Sequence, residues 1–207
     1  MNKKGRGRAG VHHRPSGGGD GFFQEIVDAV RSSFDRLSFE PADDSLNALD
    51  LLKAQHRGVE KLFAELEDAS GDRKSALFAE LADLLAVHAA IEERIFYPNV
   101  KMEATEALLK ESVQEHLHVK RMVAELMETS VSDDSFDPKI LLLKDMVEHH
   151  AKDEEERKLF PILRRELAAE WLEGLGSEMI ALMVELQRQP QPPRAAIPSQ
   201  TEEAAPI

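Results

Sequence analysis

The chain has 207 residues, a formal net charge of −13 at neutral pH and no cysteine. This length is enough for one domain with a sizeable core, and the lack of cysteine excludes disulfides, thiolate nucleophiles and iron–sulfur clusters. No apolar run approaches the roughly 18 residues of a membrane span, and no signal peptide is evident. We therefore expect a cytoplasmic protein without a membrane partner, in which any metal is held by nitrogen and oxygen ligands.

The N-terminal part of the chain is basic, in contrast to the acidic remainder. Residues 1–20 combine glycine with five basic side chains, and we predict a disordered leader there. An amphipathic helix is predicted over 21–40, ending before Pro41. The acidic remainder disfavours nucleic acid as a partner, because contacts with phosphate supply most of that affinity. The segments expected to bind a protein partner are helix 21–40 and the C-terminal segment.

The region 44–165 has the pattern of a helical bundle. Its apolar spacing predicts four helices, over about 44–69, 73–97, 104–129 and from 138 onward. Pro98 is expected to end the second helix and Pro138 to open the fourth. Long helices joined by short loops favour an all-α, up-down-up-down four-helix bundle. A C-terminal helical segment over 166–188 and a disordered, proline-rich tail over 189–207 follow.

Each bundle helix has one histidine in its apolar stripe. Side chains three, four and seven residues apart share a helix face. By that test the inward-facing histidines are His56, His88, His116 and His150. The adjacent His149 has more polar neighbours, but it remains an alternative to His150. Four histidines directed at one bundle interior are hard to explain as structural residues, so the pattern indicates a metal site.

Two of these histidines begin a repeated sequence that includes a glutamate. HAAIEERIFYP (88–98) matches HAKDEEERKLFP (150–161), which is one residue longer. Glu92 and Glu154 each follow a histidine by four residues, on the same α-helical face. Counting back from Pro161 selects Glu155 instead, which remains open. Burying such carboxylates unpaired would cost several kcal/mol each, and a bound cation removes that cost. Imidazoles with carboxylates suit two first-row metals such as iron or manganese.

At these residues the chain resembles the hemerythrin-like family, in its HHE cation-binding branch. The matching pieces are LLKAQHRGVEKLF, HAAIEERIFYP, QEHLHVKRMVAEL and HHAKDEEERKLFP. The resemblance implies a four-helix bundle around a non-haem di-iron centre, with manganese or zinc as less favoured metals. The ligands that it implies here are His56, His88, Glu92, His116, His150 and Glu154.

The resemblance also implies a small ligand, namely dioxygen, peroxide or nitric oxide, and a role in stress defence or sensing. Whether such a protein is an enzyme is left open. Oxygen carriers of the family have a fifth histidine four residues after the one that corresponds to His116. This chain has Lys120 there, so an oxygen carrier is not favoured. The alternatives are an iron-responsive regulatory module without turnover and a structural metal-binding bundle. For Tyr97, the only tyrosine, core packing is favoured over a place near the site as a redox or hydrogen-bonding partner.

Overall fold

The computed structural model describes residues 47–207, and these residues form helices with no β-strand among them. The all-α bundle predicted from the sequence is confirmed. The basic leader over 1–20 and the amphipathic helix over 21–40 lie outside the described residues. Within 47–207, no helix is both long enough and apolar enough to cross a membrane.

The bundle consists of long helices and shorter helical continuations. In chain order they are α1 (Ala48–Glu67), α2 (Gly71–Ile91), α3 (Tyr97–Val100), α4 (Glu106–Met127), α5 (Phe136–Glu148), α6 (Phe160–Glu166) and α7 (Ala169–Gln187). Asn47 caps α1, because its side-chain oxygen accepts a hydrogen bond from the Asp50 N–H at 3.1 Å. Helix α1 packs against α2 and α7, and α4 packs against α5.

Two π-helical segments make the second and fourth bundle helices continuous. Glu92–Phe96 joins α2 to α3, and His149–Leu159 joins α5 to α6. Each segment leads into a proline, Pro98 or Pro161. Proline lacks an N–H, and its ring clashes with the carbonyl four residues earlier in an α-helix. The wider π turn relieves that clash. We predicted that Pro98 ends the second bundle helix. It does not, and the helix runs on to Val100.

The C-terminal residues fold back on the bundle, although we predicted a disordered tail over 189–207. A 3₁₀ helix, Pro193–Gln200, packs against α2 and α4. Its Ile197 side chain is buried, and Arg194 forms a salt bridge with Asp83. Arg121 donates hydrogen bonds to two backbone carbonyls beyond this helix. The proline-rich composition was misleading, because a few tertiary contacts fix the segment.

Candidate metal centre

Four buried histidines meet in the interior of the bundle. They come from α1, α2, α4 and the π segment His149–Leu159, and they are His56, His88, His116 and His150. The Nε2 atoms of His116 and His150 lie only 3.1 Å apart. The ring centroids of His56 and His88 are 5.1 Å apart. The structure thus brings together the four histidines that the apolar stripes selected.

Two fully buried glutamates lie among these histidines. Glu92 Oε2 is 3.1 Å from His116 Nε2 and 3.2 Å from His88 Nε2. Glu155 Oε2 is 3.2 Å from His56 Nε2. The Tyr97 hydroxyl lies within hydrogen-bonding distance of both carboxylates, 3.2 Å from Glu92 Oε2 and 3.1 Å from Glu155 Oε1. Tyr97 is therefore a hydrogen-bonding partner in the site, which was the less favoured of its two predicted roles.

The structure places Glu155, and not Glu154, with the four histidines. Glu154 instead lies beside His149, and its Oε1 accepts a hydrogen bond from Lys158. The helix type is the physical reason for this difference. Because a π helix bonds each residue to the one five along, the residue five after His150 returns to the face of that histidine. Glu92 lies four after His88 because the turn between them is still α-helical.

The Nδ1 atom of each histidine faces an oxygen on a different helix, at the outside of the cluster. These oxygens, with their distances to Nδ1, belong to Gln55 (2.8 Å, to His88), Glu93 (2.9 Å, to His116), Glu115 (2.8 Å, to His150) and Glu156 (2.8 Å, to His56). An N–H at Nδ1 donates to each oxygen and fixes the tautomer of the ring. Each Nε2 then faces the interior.

We did not predict these outer partners from the sequence, although a simple signal was present. Gln55 and Glu115 each directly precede an inward-facing histidine, and Glu93 and Glu156 each directly follow an inward-facing glutamate. Each is therefore held at the same level of the bundle as an interior residue. A polar residue beside each interior residue was the pattern to look for.

Several interior atoms have no hydrogen-bond partner. His56 Nε2, Glu92 Oε1 and Glu155 Oε2 are buried and unpaired. Such atoms cost about 1–3 kcal/mol each, whereas a cation bound between them would remove that cost. The Nε2–carboxylate distances of 3.1–3.2 Å are close to the separation of about 3 Å between neighbouring ligands of an octahedral ion with bonds of about 2.1 Å. The residues present therefore fit a metal ion.

The donor atoms form two overlapping groups, each with all its atoms within 4.8 Å of one another. One group contains His88, Glu92, His116 and His150, and the other contains His56, His88, Glu92 and Glu155. His88 and Glu92 belong to both. This arrangement suits two neighbouring metal ions, with Glu92 between them.

Burial and neighbouring charges shift the pKa values of these groups strongly. Burial, reinforced by the repulsion of the other three histidines, lowers the pKa of His88 to about 3. Burial also disfavours the His150 imidazolium, but hydrogen bonds to Glu115 and Glu92 outweigh it and raise the pKa of His150 to about 10. Burial and the charge of Glu92 raise the pKa of Glu155. Without a metal, a proton on His150 therefore compensates part of the carboxylate charge.

Two further residues lie at the edge of the cluster. The His149 side chain is 53% exposed, so His150 is the inward-facing member of the adjacent pair. Lys120 is buried, and its ammonium group donates to both oxygens of Glu93, at 2.8 and 2.6 Å. Lys120, four residues after His116, is therefore paired with Glu93, the same residue that faces His116 Nδ1.

A small cavity of about 30 Å³ adjoins the four histidines. The rest of its wall is mainly apolar and includes Val59, Phe63, Leu85, Val123 and Ile197. Ile197 comes from the folded-back C-terminal segment. A cavity of this size holds about one or two water molecules. It therefore admits only a molecule of a few atoms.

Comparison with known proteins gives a consistent result. Residues 47–163 match the family model described as the hemerythrin HHE cation binding domain. A protein of Nostoc sp. (strain PCC 7120 / SAG 25.82 / UTEX 2576) named DNA nickase is 28% identical over 144 residues, covering 69% of this chain but only 41% of that protein. The uncharacterized protein Rv2633c of Mycobacterium tuberculosis (strain ATCC 25618 / H37Rv) is 27% identical over 148 residues, covering 70% of this chain and 90% of that one.

A solved structure shows the same architecture. It is the crystal structure of a hemerythrin HHE cation binding domain-containing protein from Mycobacterium kansasii, a homologue of Rv2633c. The two structures superpose with a TM-score of 0.63 at 27% sequence identity, covering 73% of this chain and 99% of the other.

Proposed function

Since the chain belongs to the hemerythrin HHE cation-binding family, we propose that its buried histidine–glutamate cluster holds two iron ions. The proposed ligands are His56, His88, Glu92, His116, His150 and Glu155. The observation that carries the proposal is the convergence of four histidine Nε2 atoms on two buried carboxylates that each have an oxygen without a hydrogen-bond partner. Mixed imidazole and carboxylate ligands suit iron; manganese and zinc are the alternatives to be tested.

We further propose that the protein binds or reacts with dioxygen, peroxide or nitric oxide, in stress defence or sensing. Iron in such a site supplies one-electron chemistry and open coordination positions. The cavity of about 30 Å³ beside the histidines supports a ligand of this size, and its mainly apolar wall excludes larger polar molecules.

Residues of the chain itself would control protons at this site. Burial and the two nearby carboxylates raise the pKa of Tyr97 well above its ordinary value. Its hydroxyl therefore keeps its proton and donates it to Glu92 or Glu155 in a hydrogen bond. Lys120 neutralises Glu93, which in turn orients His116. These groups hold the ligand side chains in place and keep unpaired charge away from the cavity.

A regulatory module without turnover is the second candidate, and the position of Ile197 favours it. This side chain lines the cavity and belongs to the C-terminal segment Pro193–Gln200. A ligand in the cavity would therefore contact Ile197 and so act directly on the C-terminal segment. The Nostoc relative named DNA nickase does not favour a nuclease activity here, because the match covers only 41% of that protein. The net charge of −13 also opposes binding to phosphate backbones.

Iron analysis and optical spectra of the aerobically oxidised protein test the proposal. We expect close to two irons per chain, with near-ultraviolet charge-transfer bands. His150→Ala should remove at least one iron and its bands, whereas His149→Ala should keep the interior iron. An iron content near zero after loading, or equal iron in wild type and His150→Ala, would refute a di-iron site at these residues. Turnover of peroxide would then distinguish the reactive protein from the regulatory module.

A further inference from the structure

A second group of possible metal ligands lies outside the interior cluster. Glu115, His149 and Glu154 have donor atoms within 4.8 Å of one another. His149 Nε2 is 3.4 Å from Glu115 Oε1 and 3.6 Å from Glu154 Oε1. Both distances are beyond the usual limit of about 3.2 Å for such a hydrogen bond. They are close to the separation of about 3.4 Å between ligands of a tetrahedral ion with bonds of about 2.1 Å.

The state of Glu154 is an independent sign that this group takes a ligand. The side chain is only 3% exposed, and its Oε2 atom is buried without a hydrogen-bond partner. The other oxygen, Oε1, faces His149, and a cation held by both oxygens of this carboxylate would remove the cost of the orphaned Oε2. The only cation hydrogen-bonded to Glu154 among residues 47–207 is Lys158, which contacts Oε1 and is half exposed. Lys158 can therefore move into solvent when another cation arrives.

His149 is also oriented as a ligand would be. Its Nε2 faces Glu115 and Glu154, while its Nδ1 faces Asp153 Oδ2 at 3.4 Å. The four interior histidines have the same orientation, although their Nδ1 atoms form hydrogen bonds of 2.8–2.9 Å to the outer oxygens and His149 Nδ1 is too far from Asp153 for one. The helix itself produces this orientation, because Asp153 lies one turn after His149.

We propose that Glu115, His149 and Glu154 form an outer binding site for a divalent first-row metal ion. The site borders an open groove lined by Glu60, Asp145, Glu148, His149, Lys152 and Asp153. Four carboxylates and one ammonium give this groove a negative field, which concentrates cations from solution. The half-exposed His149 makes the outer site accessible from the groove, in contrast to the buried interior cluster.

Glu115 connects the outer site with the interior one. Its Oε1 faces His149, and its Oε2 accepts the hydrogen bond of His150 Nδ1 at 2.8 Å. One carboxylate thus separates the groove from an interior ligand. We therefore assign the outer site the role of collecting the ions that load the interior. This role, unlike the binding itself, rests on the proposed di-iron function.

Binding of Co²⁺ to the metal-free full chain, measured by equilibrium dialysis and visible spectra, tests the outer site. We expect the wild type to bind one ion more than the interior holds. His149→Ala and Glu154→Gln should each weaken that additional binding by at least about tenfold, the lower range for loss of a supporting group. Lys158→Met removes the competing cation and should strengthen it. His118→Ala, an exposed histidine on α4, is the matched control and should change nothing.

The outcomes separate this site from the interior one. Equal Co²⁺ binding by wild type, His149→Ala and Glu154→Gln would overturn the outer site, whatever the interior holds. If His88→Ala keeps its full Co²⁺ complement while His149→Ala loses an ion, the proposed di-iron site fails and the outer site stands. For the loading role, His149→Ala should reach the interior iron content of the wild type at a several-fold lower rate. An unchanged rate would refute that role.

Discussion

Replacing Glu155 by glutamine should have opposite effects on the metal-free and the metal-loaded protein. Glu155 is fully buried, and burial together with the charge of Glu92 raises its pKa. Because the folded chain binds this proton more tightly than the unfolded chain, the carboxyl group destabilises the metal-free fold at neutral pH. Glutamine has the same shape without the charge. Its amide N–H can donate to His56 Nε2, which has no partner now and lies 3.2 Å from the carboxylate.

The expected sizes follow from these contacts. Removing the charge and pairing one orphaned atom should stabilise the metal-free protein by about 1–3 kcal/mol. For a chain of this length each kcal/mol raises the melting temperature by about 2–4 °C. Loss of an oxygen ligand should weaken iron binding by at least about tenfold, which is about 1.4 kcal/mol. The stabilisation should disappear as the pH falls below 4.5, because the carboxyl is then protonated in both folded and unfolded chains.

Glu154→Gln makes the same chemical change one residue away and is the comparison for interior iron alone, because Glu154 belongs to the proposed outer site. Its carboxylate lies outside the interior cluster, beside Lys158, so interior iron should be retained. Thermal unfolding with and without chelator, together with iron analysis, measures both effects. The reasoning is wrong if Glu155→Gln lowers the melting temperature of the metal-free protein, or if Glu154→Gln strips the interior iron and Glu155→Gln does not.

Three further predictions concern the surroundings of the cluster. Gln55→Leu removes the oxygen that orients His88, and iron affinity in a chelator competition should fall by about 10–100-fold; Gln114→Leu, at an exposed position on α4, should leave it unchanged. Tyr97→Phe should keep the iron content but shift the charge-transfer bands. It should also lower the free energy of unfolding by about 0.5–1.5 kcal/mol, since one buried hydrogen bond is lost. The raised pKa of His150 stabilises the metal-free protein fully below pH 6.5, and this contribution is lost as the pH rises to about 10. Urea unfolding across that range should show a falling free energy of unfolding in the wild type and a smaller fall in His150→Ala.

Helical periodicity was enough to find the histidines. Leu52 and Val59, four residues before and three after His56, are buried with it. Leu85 and Ile91 are likewise buried beside His88, and Val113 beside His116, because α1, α2 and α4 keep regular α-helical winding up to these histidines. His150 is the second residue after the end of α5, so its face can still be counted from the residues before it.

The same rule fails after His150 because the winding of the helix changes there. Position +4 selected Glu154, but over His149–Leu159 the chain is π-helical and position +5 carries the interior carboxylate. The sequence contained the evidence for this change. The second repeat is one residue longer than the first, and both repeats end in a proline that an α-helix accommodates poorly. Counting back from Pro98 and Pro161 places Glu92 and Glu155 at equivalent positions.

The C-terminal segment could not be predicted by composition, because its order depends on tertiary contacts. Its prolines and small polar residues are typical of disordered tails. However, Ile197 fills one side of the interior cavity, and Arg194 binds Asp83 of α2. Asp83 and the residues that line the rest of the cavity are far from this segment in sequence, so no local pattern reveals these contacts.

The extra residue of the second repeat has a consequence beyond the choice of ligand. Each helix supplies the outer partner for the histidine of the next one: Gln55 binds His88, Glu93 binds His116, and Glu115 binds His150. The ring of contacts closes only where Glu156 reaches back to His56 on α1.

In a regular α-helix, Glu155 and Glu156 would be turned away from the face of His150. The π segment rotates both into place together, so that one carboxylate enters the interior and the next binds His56. A single inserted residue therefore completes the interior histidine–glutamate cluster and the outer ring at the same time. For this reason the four helices must be assembled before any one histidine is fully oriented.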